Sequence, residues 1–253
     1  MYNNTFDVIV ADKLKCGARG RCRLTYSKSG DLLKVGPPFP IDIVAERVGA
    51  VKAFSQEEGF FAVGYCNTLR KTVCARFISN SGVMKRFNTD LTTGISLSNI
   101  PISTNHGLYT LCGLYYVSNR NYDNSIVNCR QFDLKSAASR LNMTFEYPRH
   151  MKAISIHNIP RGGFLVAALG CGKEYQEENC NLFVDRIYAG GKKLGLYSTQ
   201  LQTSCGGDQN EIMLDIEYEG ESEFCFYVAC TSKPFPDWNR LLSFSRECLS
   251  LSL

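Results

Sequence analysis

The chain has 253 residues, 44% of them hydrophobic and 21% charged, which is enough for the core of one large all-β domain. Its formal net charge of +4 comes from scattered lysines and arginines, which argues against a nucleic-acid-binding surface. No apolar run is long enough to cross a membrane as a helix, so we expect no membrane span.

Short hydrophobic segments alternate with polar, glycine- and asparagine-containing turns along the whole chain, which is typical of antiparallel strands. The segments form five repeats within one predicted domain, 1–253. The repeats cover about residues 5–36, 41–90, 94–147, 151–202 and 210–253.

The first repeat contains three predicted strands and the second contains four. They cover residues 6–16, 22–27 and 31–35, then 41–48, 59–66, 72–79 and 83–88. The third and fourth repeats contain four each, at 95–102, 108–117, 126–134 and 140–147, then 154–156, 163–171, 181–188 and 193–199. The last has three, at 211–218, 223–230 and 241–253.

Repeats of roughly 40–50 residues with four strands each are typical of β-propeller blades. We therefore predict an all-β fold of antiparallel four-stranded repeats, a β-propeller of about five blades with incomplete end blades. A β-sandwich is the alternative architecture, although it would not require a repeat.

Twelve cysteines lie mainly at the ends of predicted second and third strands. Their spacing matches no zinc motif, so we expect disulfides, an oxidising compartment and no metal or other cofactor. Alignment of the repeats predicts the pairs Cys16–Cys22, Cys66–Cys74, Cys112–Cys129, Cys171–Cys180, Cys205–Cys225 and Cys230–Cys248.

Two Asn-x-Thr triplets, at Asn3 and Asn142, are potential glycosylation sites and agree with secretion. The first residues do not form a basic and apolar leader. We therefore expect a secreted, extracellular protein whose signal peptide lies outside this numbering.

The segment Gly162-Gly163-Phe164-Leu165-Val166, with residues 181–188 and 191–195, resembles a pattern in uncharacterised secreted proteins of insects, parasitoid wasps among them. The likeness covers mainly residues 151–232 and includes Cys205-Gly206-Gly207 and 223–226. It implies a propeller-like repeat fold, secretion and a venom or host-interaction role. The family supplies no catalytic residues.

Few residues are candidates for chemistry. Asp42 and Asp215 occupy similar positions in predicted first strands, where a propeller glycoside hydrolase would carry its carboxylates. Trp238, in a Pro-Phe-Pro-Asp-Trp segment, is a candidate binding contact. The three histidines, His106, His150 and His157, are interpreted as structural or exposed, because no nucleophile accompanies them at a recognisable spacing.

These observations predict a binding module that presents propeller loops to a protein or glycan partner. A propeller-type glycoside hydrolase is one alternative, and an extracellular structural module with no discrete site is another. The oligomeric state and the ligand do not follow from the sequence.

Overall fold

A computed structural model of the chain describes most of the predicted strands. The described residues are 5–10, 13–17, 22–27, 29–36, 52–56, 59–67, 72–79, 81, 83–94, 100–119, 122–147, 151–160, 162–171, 179–202, 212–220, 223–232 and 241–250. Within these ranges the chain forms eighteen strands and one four-residue helical turn, and it divides into two compact units, Met1–Thr92 and Thr93–Leu253.

The first unit contains two antiparallel sheets. Sheet 1 consists of β1 (Thr5–Val10), β2 (Cys22–Ser27) and β3 (Leu32–Val35), with the helical turn α1 (Lys13–Cys16) between β1 and β2. Sheet 2 consists of β4 (Lys52–Gln56), β5 (Gly59–Asn67), β6 (Thr72–Ser79) and β7 (Met84–Thr92).

The second unit contains three antiparallel sheets. Sheet 3 consists of β8 (Ile102–Ser103), β9 (Leu108–Asn119), β10 (Tyr122–Asp133) and β11 (Ser139–Tyr147). Sheet 4 consists of β12 (Met151–Asn158), β13 (Phe164–Cys171), β14 (Asn179–Ile187) and β15 (Lys193–Gln202). Sheet 5 consists of β16 (Ile212–Gly220), β17 (Glu223–Ser232) and β18 (Leu241–Ser250).

Every sheet is a meander in which each strand pairs with the next strand along the chain. This is the topology of propeller blades, and the predicted all-β, propeller-type fold class is confirmed. The five sheets among the described residues have three, four, four, four and three strands, so the end sheets are the smaller ones, as the repeat pattern predicts.

Sheet 4 is covered on both faces, which distinguishes the second unit from a two-sheet sandwich. Side chains of β13 alternate between the two cores because successive residues of a strand point to opposite faces. Those in the core with sheet 3 are Phe164, Val166 and Ala168, and those in the core with sheet 5 are Leu165, Ala167 and Leu169.

One predicted strand is wrong over its last residues. Residues 13–16, placed in the first strand of the chain, form the helical turn α1 instead. Among the described residues, sheet 2 begins with β4, which pairs with β5 from Lys52 opposite Val63 to Gln56 opposite Gly59. Residues 41–48 lie outside the described part of the chain.

Three disulfides are described. Cys16–Cys22 and Cys112–Cys129 agree with the prediction. Cys74 and Cys180 are also disulfide-bonded, while the side chains of Cys66 and Cys171, their predicted partners, lie outside the described part.

The third described disulfide, Cys225–Cys248, corrects the predicted pairs of sheet 5. The register of β17 and β18, in which Ser232 lies opposite Leu241, brings Cys248 opposite Cys225 at a Cα–Cα distance of 4.1 Å. Cys230 lies opposite Ser243 and is disulfide-bonded elsewhere, so neither Cys230–Cys248 nor Cys205–Cys225 forms. Strand β17 contains two cysteines, Cys225 and Cys230, and the alignment of second strands assigned Cys248 to Cys230 instead of Cys225.

Candidate functional site

Several predicted site residues lie outside the described part of the chain, namely Asn3, Asp42, Cys205, Trp238 and His150. Asp215 lies on β16, is exposed, and accepts hydrogen bonds from the backbone N–H of Ile216 at 2.8 Å and from Ser155 Oγ at 3.4 Å. Asn142 is exposed on the edge strand β11.

A propeller glycosidase needs two or more carboxylates that converge from different strands. The first strands of the second unit are β8, β12 and β16, and within their described residues the carboxylates are all on β16. Asp215 therefore has no carboxylate from a neighbouring first strand opposite it in this part of the molecule.

A candidate site lies at the turn end of the second unit, by which we mean the connections that follow β8, β10 and β12 and the adjoining ends of β16 and β17. The connection after β8 is a type I′ hairpin turn, in which Leu108 N donates to Asn105 O at 3.0 Å. His106 and Gly107, its two central residues, have φ angles of 57° and 69°. Both central positions of this turn require positive φ, which histidine tolerates better than most side chains do.

The connection after β10 is organised by Asp133. Its Oδ1 accepts hydrogen bonds from Ser136 N at 2.9 Å, Ser136 Oγ at 3.0 Å and Lys135 N at 3.0 Å, and its Oδ2 forms an ion pair with Arg140 Nη2 at 3.0 Å. The backbone bond from Ser136 is the largest of the causes that lower the pKa of Asp133 to about 2, followed by the Ser136 hydroxyl and Arg140. The carboxylate is therefore ionised and held by its own turn.

A cleft of about 270 Å³ lies between these connections and the turn after β12. It is lined by His106, Gly107, Leu108, Asp133, Lys135, Arg140 and Gly162. Leu134 N donates to Gly107 O at 3.0 Å, which joins two of the turns around it. The volume is at the small end of ligand pockets, so it suits one small group and not a whole large ligand.

The cleft rests on a buried hydrogen-bond network between sheets 3 and 4. Asn158 Nδ2 donates to Ser103 O and Leu108 O at 3.1 and 3.0 Å. Gln131 Nε2 donates to Asn158 Oδ1 at 3.2 Å and to Gly163 O at 3.0 Å, and Gly163 N donates back to Gln131 Oε1 at 3.2 Å. Satisfied buried networks of this kind hold backbone segments in a single arrangement, so the cleft is preorganised.

Four aromatic rings form a continuous row across sheets 5, 4 and 3 at the same end. Ring centroids are 5.0 Å apart for Tyr218 and Phe224, 5.5 Å for Phe224 and His157, and 6.2 Å for His157 and His106. Phe224 is buried, whereas Tyr218 is 44% exposed and His106 is exposed, so both ends of the row reach the surface. His106 also lines the cleft, so one exposed end of the row lies at the cleft.

His157 is the partly buried member of this row. Burial lowers the pKa of its imidazole, and the neighbouring His106 lowers it further. The side-chain nitrogen of Asn105 lies within 3.4 Å of both ring nitrogens. A neutral His157 can accept a hydrogen bond from that amide, so its role is to support His106 and the turn.

A second polar cluster lies between sheets 3 and 4 at Tyr147, Asp185 and Lys193. The hydroxyl of Tyr147 donates to Asp185 Oδ2 at 2.5 Å, and Lys193 Nζ lies 3.1 Å from the same oxygen. Burial raises the pKa of Tyr147 well above its ordinary value, and the charge of Asp185 adds to this. Each polar group has a partner, so this cluster ties the two sheets together.

One group of potential metal ligands occurs among the described residues, Glu223, Cys225 and Cys248. The two sulfurs are joined in a disulfide and so cannot act as thiolate ligands. Among the described residues, no helix is long and apolar enough to cross a membrane.

No protein-family model and no curated protein matches the chain. Distant similarity exists to solved structures. One is puromycin hydrolase, with 10% identity and a TM-score of 0.35 over 92% of this chain and 36% of that protein. Another is the subtype N11 neuraminidase-like protein of A/flat-faced bat/Peru/033/2010 (H18N11), with 12% identity and a TM-score of 0.43 over 92% and 66%.

TolB from Acinetobacter baumannii is similar at 10% identity and a TM-score of 0.31, over 89% of this chain and 60% of TolB. This chain thus spans 36% of puromycin hydrolase and 66% of the neuraminidase-like protein. The activities that these names state belong to those proteins.

The sequence names His106 and His157 as separate histidines, but it does not predict that they are neighbours in the fold. They are 51 positions apart in the chain and lie on different sheets. The one local signal was His106-Gly107 at a hairpin turn, where histidine adopts a backbone conformation that asparagine or glycine would adopt more readily.

Proposed function

We propose that this protein is an extracellular, disulfide-stabilised binding module whose turn end contacts a protein or glycan partner. The observation that carries the proposal is the cleft together with the aromatic row, both anchored on the Gln131–Asn158 network. The three described disulfides are consistent with an oxidising compartment. The venom or host-interaction role implied by the resemblance to secreted insect proteins remains a prediction.

The hydrogen-bond network is rigid and lies beneath exposed side chains, and this combination supports a binding role more than a purely structural one. A hydrogen-bond network that merely joins two sheets needs no exposed rings above it, yet Tyr218 and His106 both reach the surface. Exposed aromatic side chains on a rigid base supply contact area at low entropic cost, which is typical of binding sites.

The test compares binding by the oxidised protein with binding by two matched variants. Tyr218→Ser removes an exposed ring at the turn end, and Phe244→Ser removes one that is 62% exposed on β18, outside it. Candidate partners are immobilised glycans and purified extracellular proteins. We expect Tyr218→Ser to weaken binding by about tenfold or more, and Phe244→Ser to leave it unchanged.

Equal binding by the two variants would show that the turn end is not the contact surface. For the hydrolase alternative, release of sugar from a glycoside panel by the wild type, lost in Asp215→Asn, would replace the binding proposal with an enzymatic one.

A further inference from the structure

The cleft carries more positive than negative charge. Arg140 and Lys135 are cationic, and Asp133 is the one carboxylate among its lining residues. The Asp133 carboxylate accepts its hydrogen bonds from its own turn and from Arg140. The lining therefore offers N–H donors and net positive charge to a small visiting group.

The size of the cleft selects a small group. A volume of about 270 Å³ accommodates one charged group and the ring or short chain that bears it. The aromatic row begins with the exposed ring of His106 at the cleft and continues inward to His157 and the buried Phe224, at centroid spacings of 6.2 and 5.5 Å. A flat ring attached to the anionic group can lie against the exposed ring of His106, because aromatic side chains pack well against the apolar face of a sugar.

The backbone conformation of His106 indicates that the position uses the imidazole side chain for something other than the turn. His106 has φ 57°, a conformation that costs an L side chain free energy and that asparagine or glycine adopts more easily. Nothing in the turn itself needs an imidazole, since the hydrogen bond that closes it runs between Asn105 and Leu108 backbone groups. The imidazole contacts His157 and faces the cleft, so its use is there.

We infer that this cleft binds the anionic group of an acidic sugar, with Arg140, Lys135 and His106 as its donors. Arg140 presents its guanidinium from β11, Lys135 its ammonium from the turn after β10, and His106 a ring N–H from the turn after β8. A carboxylate or a sulfate satisfies this donor set, because each presents several oxygens to converging N–H groups. The inference rests on the proposed binding function and names its ligand chemistry.

The experiment is a titration of the oxidised protein, followed by isothermal calorimetry or by NMR shifts, at constant ionic strength. The probes are glucuronate, glucose 6-sulfate, neutral glucose and an acidic dipeptide. We expect both acidic sugars to bind, and glucose and the dipeptide to bind at least about tenfold more weakly.

Three variants remove one donor each: Arg140→Gln, Lys135→Gln and His106→Asn. We expect each to weaken glucuronate binding about tenfold, since a charge-assisted hydrogen bond is lost in each case. Matched controls are Arg86→Gln on β7 and Lys34→Gln on β3, both exposed in the first unit, which should bind like the wild type. His106→Asn keeps the turn, so its melting temperature should equal or exceed that of the wild type.

The outcomes separate the two proposals. Equal binding of glucose and glucuronate, or of the dipeptide and glucuronate, overturns the acidic-sugar inference while leaving the binding module intact. Binding of acidic sugars that survives all three variants also overturns it, because the anion then lies elsewhere. If Tyr218→Ser binds partners as well as Phe244→Ser does, the proposed function itself fails.

Discussion

Gln131 of β10 and Asn158 of β12 are hydrogen-bonded across the boundary between sheets 3 and 4, with Gln131 Nε2 donating to Asn158 Oδ1 at 3.2 Å. Both side chains are fully buried. Between them they satisfy backbone groups of Ser103, Leu108 and Gly163, so this pair holds the turns after β8 and β12 in place beneath the cleft.

Replacing Gln131 with alanine should destabilise the protein by about 2–4 kcal/mol, because the N–H of Gly163 would be left unpaired in the interior and Gly163 O and Asn158 Oδ1 would each lose one donor. Gln200→Ala, at an exposed position on β15, is the matched control and should change stability by less than about 0.5 kcal/mol. Urea unfolding measures both. Similar small effects in the two variants would show that the network contributes little.

Gly163 should tolerate no side chain. Its φ is 82°, and a Cβ there would lie 2.2 Å from the carbonyl oxygen of Ile187, a backbone atom that cannot move aside cheaply. Gly163→Ala should therefore cost about 4 kcal/mol or more or prevent folding. The control is Gly191→Ala, with φ 84° but open space around the Cβ position, which should cost only about 1–2 kcal/mol.

Thermal unfolding followed by circular dichroism compares the two alanine variants. A Gly163→Ala protein as stable as Gly191→Ala would contradict the close approach of β13 to the end of β14.

Peptide mapping under non-reducing conditions should recover Cys225 linked to Cys248. This pair replaces the two pairs that the alignment of second strands predicted, Cys205–Cys225 and Cys230–Cys248. We predict that the remaining two cysteines, Cys205 and Cys230, are joined to each other. A Cys225→Ser, Cys248→Ser double variant should lose about 2–4 kcal/mol of stability in the chain-entropy view. Recovery of a Cys230–Cys248 peptide would instead mean that β17 and β18 pair in another register.

The stability that Asp133 supplies should depend on pH in the acid range. Its pKa is lowered in the folded state, so its contribution is present in full above about pH 4 and is lost as the pH falls towards about 2. Asp133→Asn should therefore be less stable than the wild type near neutral pH, and the difference should shrink as the pH falls through about 2 and vanish below it. Chemical denaturation across this range provides the measurement.

Arg140→Gln tests the same relationship from the other side of the ion pair. Since Asp133 and Arg140 interact directly, the double variant should lose less stability than the sum of the two single variants. Additive losses, or a gap between Asp133→Asn and wild type that is as large near pH 2 as at neutral pH, would show that the carboxylate is not held by these partners.

The sequence by itself determined most of the described strands, the meander topology and the propeller-type class, because these depend on period-2 hydrophobicity and on local turn residues. The segment 164–169 shows this, since its continuous apolar run corresponds to a strand with a hydrophobic core on each face. Cys16–Cys22 and Cys112–Cys129 were predictable for the same reason, as each pair closes a connection between neighbouring strands.

Only the tertiary structure decided which cysteine faces Cys248, since that depends on the register of β17 and β18 and not on the order of cysteines along the chain. The same holds for His106 with His157 and for Gln131 with Asn158. These partners lie on different sheets, so their approach follows from how whole sheets pack and leaves no local pattern in the sequence.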